Sequence, residues 1–237
     1  MFEYDDLVET FTELVRRAST QLPADVRAAL QKGREREQED SLALKALDTI
    51  SENVTLAAEN SAPICQDTGT PVVWISYPVG VSTRTLAKAF TVAVERATER
   101  KFLRPNAVDT LTGRNTGTGT GRGIPSLHFH EWDEQALEVR MILKGGGSEN
   151  VGTQYKLPEP RLEAGRDLEG VRRVVLDAVV EAQGKGCAPG VLGICIGGDR
   201  VSGAERAKEQ ILRPLEDTNE IPELAELEER LLREGNE

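Results

Sequence analysis

The sequence predicts a mixed α/β (α+β) fold with a helical N-terminal section, a central sheet with flanking helices, and a helical C-terminus. Apolar residues recur at helical spacing through the first sixty residues. Short runs rich in β-branched and aromatic residues follow in the middle of the chain, which is typical of strands. Helical spacing returns near the end. We therefore predict a single domain over residues 1–237, with sections 1–60, 61–200 and 201–237.

The N-terminal section is predicted to hold three helices. Leu7, Phe11 and Leu14 fall on one face of the first helix. Pro23 can begin a second, shorter helix, because proline suits the first helical turn. A third helix is predicted from about residue 40 to residue 58, where an apolar stripe recurs every three to four residues.

The central section alternates between strands and helices. Residues 72–77 are predicted to form a strand, and residues 83–100 a helix. Residues 127–132 and 136–142 have the pattern of two further strands, separated by a polar Asp-Glu turn. Because these two strands are close in sequence, we expect them to pair with each other.

The last third of the chain is predicted to be mainly helical. Residues 168–183 form a strong apolar stripe, and Gly184 is placed to end that helix. Residues 191–196 are predicted to form a short apolar strand. Helix is expected again from Val201, and residues 222–233 have the pattern of a charged amphipathic helix.

Composition excludes several classes of function. Apolar residues make up 38% of the 237 residues and charged residues 29%, as in an ordinary globular protein. The formal net charge of −11 argues against nucleic acid as a partner, since phosphate binding needs a basic surface. No apolar run approaches the roughly 18 residues of a membrane span. The N-terminal residues are acidic and lack the pattern of a signal peptide, so we expect a cytoplasmic protein without a membrane partner.

Two of the three cysteines lie among turn-forming and polar residues. Cys65 begins the run Cys-Gln-Asp-Thr-Gly-Thr, and Cys187 lies within Gly-Lys-Gly-Cys-Ala-Pro-Gly. Such loops are typical of metal ligands or nucleophiles, and a structural role is the alternative; both remain open on residue pattern alone. Cys195 falls on a predicted strand, where a small buried hydrophobic residue is the favoured interpretation.

Other polar segments could also carry chemistry. Residues 115–123 are rich in glycine but match neither common phosphate-binding motif, so a connecting loop is favoured. Residues 144–150 offer consecutive glycine amides, which can bind a carboxylate. Arg104 could clamp a carboxylate, although a surface arginine is the simpler interpretation. His128 and His130 share one face of a strand, where surface or core packing is favoured over a metal site.

Five of these segments occur together in one order along the chain: residues 64–70, 104–106, 115–117, 144–150 and 186–190. In this order they resemble the iron–sulfur hydro-lyases, a family that contains class I fumarate hydratase and L-tartrate dehydratase. The resemblance is to the α subunit or N-terminal domain, and it spans nearly the whole chain. The pair of motifs CQDTG and KGGGSEN is its most specific part.

The resemblance implies a 4Fe–4S cluster held by three cysteines, with one iron open to a 2-hydroxy dicarboxylate substrate. That iron would act as a Lewis acid on the substrate hydroxyl while a base removes a proton. Cys65 and Cys187 match two of the metal ligands, and Asp67 is the candidate catalytic residue. The positions that match substrate-binding residues are Gln66, Asp67, Arg104, Gly146 and Gly147.

In this family the third cysteine ligand lies beyond the part that the last predicted helix matches, and Cys195 is not assigned to that role. We therefore expect an α-type chain that ends before the third ligand. Its cluster would be absent or incomplete, and the isolated chain would be inactive. The missing base and further substrate contacts imply a β subunit or C-terminal domain as partner, and we expect an oligomer.

The resemblance thus implies a subunit that hydrates and dehydrates a small dicarboxylate, with fumarate and malate favoured. An L-tartrate dehydratase subunit is one alternative. A binding or assembly module without catalysis, in which the cysteines are structural, is another.

Overall fold

A computed structural model describes residues 2–187 and 189–237. Helices and a small sheet alternate along the chain, so the predicted mixed fold is confirmed. The chain divides into two compact units, the first ending at Gly146 and the second running from Gly147 to Glu237. The single domain over residues 1–237 stays a prediction. Within the two described ranges, every helix is too short or too polar to cross a lipid bilayer.

The first unit contains most of the predicted N-terminal and central helices. They are α1 (Tyr4–Thr20), α2 (Ala24–Arg36), α3 (Leu42–Asn60) and α4 (Thr83–Glu99). Two of them begin at a serine whose hydroxyl accepts a backbone N–H of the first turn, which satisfies one of the helix's unpaired donors. Ser41 accepts from Leu44 at the start of α3 (3.0 Å), and Ser82 accepts from Thr85 at the start of α4 (3.3 Å).

The sheet of the first unit has the strand order β2-β1-β3, made from β1 (Thr70–Pro78), β2 (Ser126–Trp132) and β3 (Glu138–Lys144). β1 runs parallel to β2 and antiparallel to β3. The predicted pairing of β2 with β3 is therefore wrong, because β1 lies between them. β1 is the most apolar strand, and its backbone N–H and C=O groups are paired with a neighbouring strand on both edges. In β2 and β3 apolar and polar residues are mixed, as is common in edge strands.

The core of the first unit lies between this sheet and two helices. Val73 and Ile75 of β1 are fully buried in a cluster with side chains of α1 and α4. Within it the rings of Phe11 and Phe90 lie 5.0 Å apart. This core fixes β1, and with it the segment that leads into β1 from Cys65.

The second unit is built from helices around a smaller apolar cluster. Its elements are α5 (Gly146–Asn150, which begins at the last residue of the first unit), a 3₁₀ turn (Pro160–Leu162), α6 (Leu168–Ala182), α7 (Arg200–Gln210) and α8 (Pro222–Glu234). Val171 of α6 packs with Leu227 and Leu231 of α8. Gly184 follows α6 with a positive φ of 72°, as predicted for a residue that ends a helix.

The predicted strand at residues 191–196 is wrong. These residues form no strand, and Val191, Leu192 and Ile196 are about half exposed. A strand needs a neighbour to satisfy its backbone groups, and the described part of the second unit contains none. Cys195 is consequently only partly buried and does not lie in a strand core.

Candidate functional site

The segment that carries Cys65 connects α3 to β1, and its backbone is held on both sides just before the cysteine. The Ile64 N–H donates to the carbonyl of Ser19 at the end of α1 (2.9 Å). The Ile64 carbonyl accepts from the side-chain amide of Asn53 on α3 (2.7 Å). Cys65 and Gln66 follow directly and are exposed. The predicted ligand thus projects from a backbone that two helices fix.

Thr68 joins this segment to the one that contains Arg104. Its buried hydroxyl lies 3.3 Å from both the N–H and the carbonyl of Arg104, so it can accept from one and donate to the other. The side-chain amide of Asn106 also donates to this oxygen (3.3 Å). Thr68 and Asn106 are absent from the predicted site residues. Thr68 lies in the motif segment 64–70 and Asn106 in the segment 104–106, and this is the only sequence signal for either residue. Threonine and asparagine are otherwise common in ordinary turns.

The carboxylate of Asp67 connects three separate segments. Its Oδ2 accepts the backbone N–H of Gly146 (2.8 Å), and its Oδ1 accepts from Asn106 (3.2 Å) and from the N–H of Gly69 (3.1 Å). The structure thus brings Asp67 and Gly146 together. The Gly146 amide, predicted to bind substrate, donates to a carboxylate of the protein itself.

The glycine of the CQDTG motif is required by a close approach of two backbones. Gly69 has a φ of 77°, and a Cβ added there would lie 2.7–2.8 Å from backbone atoms of Lys144. Gly145 is similarly crowded, since a Cβ would lie 3.0 Å from Asp67 Oδ2. The two most specific motifs of the sequence are therefore packed directly against each other.

A cavity of about 510 Å³ adjoins Cys65. Three predicted site residues, Cys65, Gln66 and Arg104, line it. The other lining residues are Asn53, Pro63, Ile64, Thr98, Lys101, Leu103 and Pro105. Within the described ranges the Arg104 guanidinium has no hydrogen bond or ion pair, so it is free to bind an anion.

The glycine-rich segment 115–123 supports the Arg104 segment. The side-chain amide of Asn115 donates to the carbonyl of Pro105 (2.6 Å), and the Thr116 N–H donates to the carbonyl of Ala107 (2.9 Å). The hydroxyl of Thr120 donates to Glu95 on α4 (3.1 Å). These contacts agree with the connecting role favoured from the sequence.

Cys187 and Gly147 belong to the second unit. Cys187 is exposed and, like Cys65 and Cys195, is a free thiol. It follows α6, and the Lys185 N–H donates back to the carbonyl of Ala182 in that helix (3.0 Å). Gly147 is exposed in α5, so the glycine-rich segment 144–150 is helical from Gly146 onward.

The two histidines have the roles favoured from the sequence. His128 stacks on the buried Trp74, with ring centroids 5.3 Å apart, and His130 is exposed. Within residues 2–187 and 189–237, no three side chains of His, Cys, Asp or Glu form a metal-binding group.

Comparison with known proteins gives the geometry a context. The family model for fumarate hydratase (Fumerase) matches residues 8–237. The chain belongs to this family. The resemblance drawn from the cysteine and glycine motifs is thereby confirmed, and the Asp67–Gly146 and Thr68–Arg104 contacts lie within the matched part of this fumarate hydratase family member.

Relatives in the fumarate hydratase family include proteins with two kinds of name. A Geobacillus stearothermophilus protein, provisionally named class I fumarate hydratase, is 45% identical over 98% of this chain and 46% of its own length. A Methanocaldococcus jannaschii protein, provisionally named L(+)-tartrate dehydratase subunit alpha, is 34% identical over 96% of this chain and 80% of its own. The Escherichia coli K12 L(+)-tartrate dehydratase subunit alpha is 29% identical over 95% of this chain and 72% of its own length. The chain thus spans about half the length of the Geobacillus relative.

Proposed function

We propose that the chain supplies part of the substrate pocket and part of the cluster site of a hydro-lyase that reversibly hydrates a small dicarboxylate, with fumarate and malate as the favoured pair. One observation carries this proposal. The segment 65–69 is hydrogen-bonded to both the Arg104 and the Gly146 segments, beside a cavity that Cys65, Gln66 and Arg104 line. Fold membership alone would not support a reaction, but this site does.

The donor atoms of the chain suit part of a 4Fe–4S cluster. Thiolates are the usual ligands of such clusters, and both Cys65 and Cys187 are free and exposed. We propose Cys65 and Cys187 as two of the three cysteine ligands of the cluster. The third ligand is a different cysteine, and Cys195 is not assigned to that role. When bound, the cluster would supply a Lewis-acidic iron that polarises the substrate hydroxyl.

The residues of the chain would bind and orient the dicarboxylate. Arg104 can form two parallel hydrogen bonds to one carboxylate, and its backbone is fixed by Thr68. The Gln66 side chain can donate to a hydroxyl or carboxylate oxygen from its exposed position beside Cys65. We propose Gly146 and Gly147 as further substrate-binding residues, with Gly146 acting through Asp67, to which its N–H donates.

Asp67 is proposed to contact the substrate hydroxyl while it holds the site together. Three N–H groups donate to its carboxylate, which fixes the orientation of the side chain. Each carboxylate oxygen has two lone pairs, so acceptor capacity remains for a substrate hydroxyl. The same side chain would therefore position the glycine segment and bind the reacting group.

A second chain or domain is proposed to complete the enzyme. Two of the three relatives described above carry the name subunit alpha, which motivates a β subunit or C-terminal domain as partner. L-tartrate is the second candidate substrate, motivated by the same two names. The isolated chain is proposed to be inactive.

The test is anaerobic reconstitution of the complete enzyme with iron and sulfide, followed by assays with L-malate, fumarate and L-tartrate. Cys65→Ser and Cys187→Ser should each abolish turnover and reduce the visible absorption of the cluster, because both remove a thiolate. Cys195→Ser is the matched control and should retain both. Full turnover in Cys65→Ser or Cys187→Ser would refute its role as a ligand. Cysteine-dependent folding without turnover in any substrate would favour the non-catalytic module.

A further inference from the structure

Lys101 adopts a backbone conformation that usually requires glycine. It follows α4 with a φ of 65°, in the left-handed region. Its N–H donates to the carbonyl of Thr98 (3.0 Å), and the N–H of Phe102 donates to the carbonyl of Ala97 (2.9 Å). Glycine is the common residue at this point of a helix end, because a Cβ is strained in the left-handed region. A lysine here therefore has a conformational cost that its helix does not explain.

The same lysine lines the cavity beside Cys65, together with Arg104. These two are the charged residues among its lining residues, although the chain carries a net charge of −11. Within the part of the chain that the structure describes, neither the Lys101 ammonium nor the Arg104 guanidinium has a hydrogen bond or an ion pair. Arg100, one residue before Lys101, differs, since it pairs with Glu9 (2.9 Å). The cavity thus retains two uncompensated positive charges.

We propose that Lys101 is a second cationic contact for the anion that binds in this cavity, beside Arg104. A dicarboxylate has two negative groups, so two cations lining the same cavity would bind it better than one. Arginine suits a carboxylate through its planar fork, and lysine adds a point charge on a long stem. The inference rests on the proposed function for the identity of the anion as a dicarboxylate.

A simpler role for Lys101 is compensation of the negative end of α4, where cations are favourable. The two roles differ in what a Lys101→Gly substitution would do. Loss of an anion contact would weaken carboxylate binding. Compensation of the helix alone predicts unchanged carboxylate binding, and because strain relief and loss of the cation act on the helix in both cases, binding and not the melting temperature separates the two roles.

The experiment uses the full chain and compares alkylation of its cysteines by iodoacetate, which is anionic, and by iodoacetamide, which is neutral. Peptide mass spectrometry gives the ratio of the two rates at Cys65, and the ratio at Cys187 serves as internal reference. We expect Lys101→Gly to lower the Cys65 ratio about two- to fivefold, as removal of one nearby charge implies. L-malate should protect Cys65 in the unmodified chain and protect it less in the variant.

Two control variants make the result specific. Lys101→Arg should keep most of the iodoacetate preference, because it keeps the charge. Lys45→Gln removes an exposed lysine of α3 that lies 3.8 Å from Asp40, and it should leave the ratio unchanged. An unchanged Cys65 ratio in Lys101→Gly, or equal malate protection in both chains, would overturn the proposal. Because these readouts need neither cluster nor turnover, a complete enzyme without hydro-lyase activity would refute the proposed function and leave the anion contact standing.

Discussion

The segments of the two predicted ligands, Cys65 and Cys187, are both rich in turn-forming residues but have different structural surroundings. The Cys65 segment is hydrogen-bonded to α1, to α3 and to partners 36 and 79 residues away along the chain. The Cys187 segment follows α6, and the N–H groups of residues 183 and 185 donate back to that helix. The Cys65 thiol is thus placed by contacts across its unit, whereas the backbone hydrogen bonds of residues 183 and 185, which precede Cys187, run to the end of α6. Substitutions near Cys65 should therefore change stability as well as the site.

The sharpest test of this comparison substitutes the left-handed glycine near each cysteine. Gly69→Ala should lower the free energy of unfolding by about 2–4 kcal/mol, because backbone strain adds to a clash with Lys144. Gly184 has a similar φ of 72° but no atom within 4 Å of an added Cβ. Gly184→Ala should therefore cost only the strain, about 1 kcal/mol. Urea unfolding of both variants measures the difference, and equal losses would contradict the distinction.

A smaller effect is expected when Asp67 is replaced by alanine. The substitution removes the acceptor for Gly69, Asn106 and Gly146, and we expect a loss of about 1–3 kcal/mol. Urea unfolding measures this loss, and the complete enzyme should also lose turnover.

Asp199 is the matched control for Asp67, since its carboxylate also accepts several bonds. Its partners are Val201 and Ser202 at the start of α7, which lie two and three residues after Asp199 along the chain. Asp199→Ala should loosen that helix end and keep turnover. Equal effects of the two substitutions on turnover would show that the bonds between distant segments do not matter for the site.

The smallest effect concerns alkaline pH and the second unit. Burial raises the pKa of Tyr155 to about 12, and its hydrogen bond to Asp177 (2.6 Å) adds to the shift. The folded pKa exceeds the unfolded value near 10, so this contribution to stability is complete below pH 10 and is lost as the pH rises to 12. Tyr155→Phe should lack this pH-dependent part. The difference in stability between the two proteins, from urea unfolding at a series of pH values, should shrink between pH 10 and 12; a constant difference would contradict it.

The sequence predicts the local elements well, because helical and strand periodicity depend on neighbouring residues. Prediction from the sequence fails where strand formation or strand pairing depends on residues that are distant along the chain. The strands β2 and β3 are close in sequence, yet the more apolar β1 inserts between them. Residues 191–196 have a strand pattern but no neighbouring strand with which to pair.

The candidate site shows the same division. The motifs identify Cys65, Gln66 and Arg104, which the structure places on one cavity. The residues that hold this arrangement, Thr68 and Asn53, are not predictable from one sequence. Their hydrogen bonds cross 11 to 38 residues of chain and follow no local pattern.

The hydrogen bond between Asp67 and Gly146 also orders events during synthesis on the ribosome. Gly146 is translated 79 residues after Asp67, and both strands that flank β1 are translated after β1 itself. A nascent chain released from the exit tunnel only as far as α4 therefore presents Cys65 with its α1 and α3 partners but without the Arg104 and Gly146 segments. Insertion of the proposed iron–sulfur cluster should accordingly be a late step, after residue 146 has emerged.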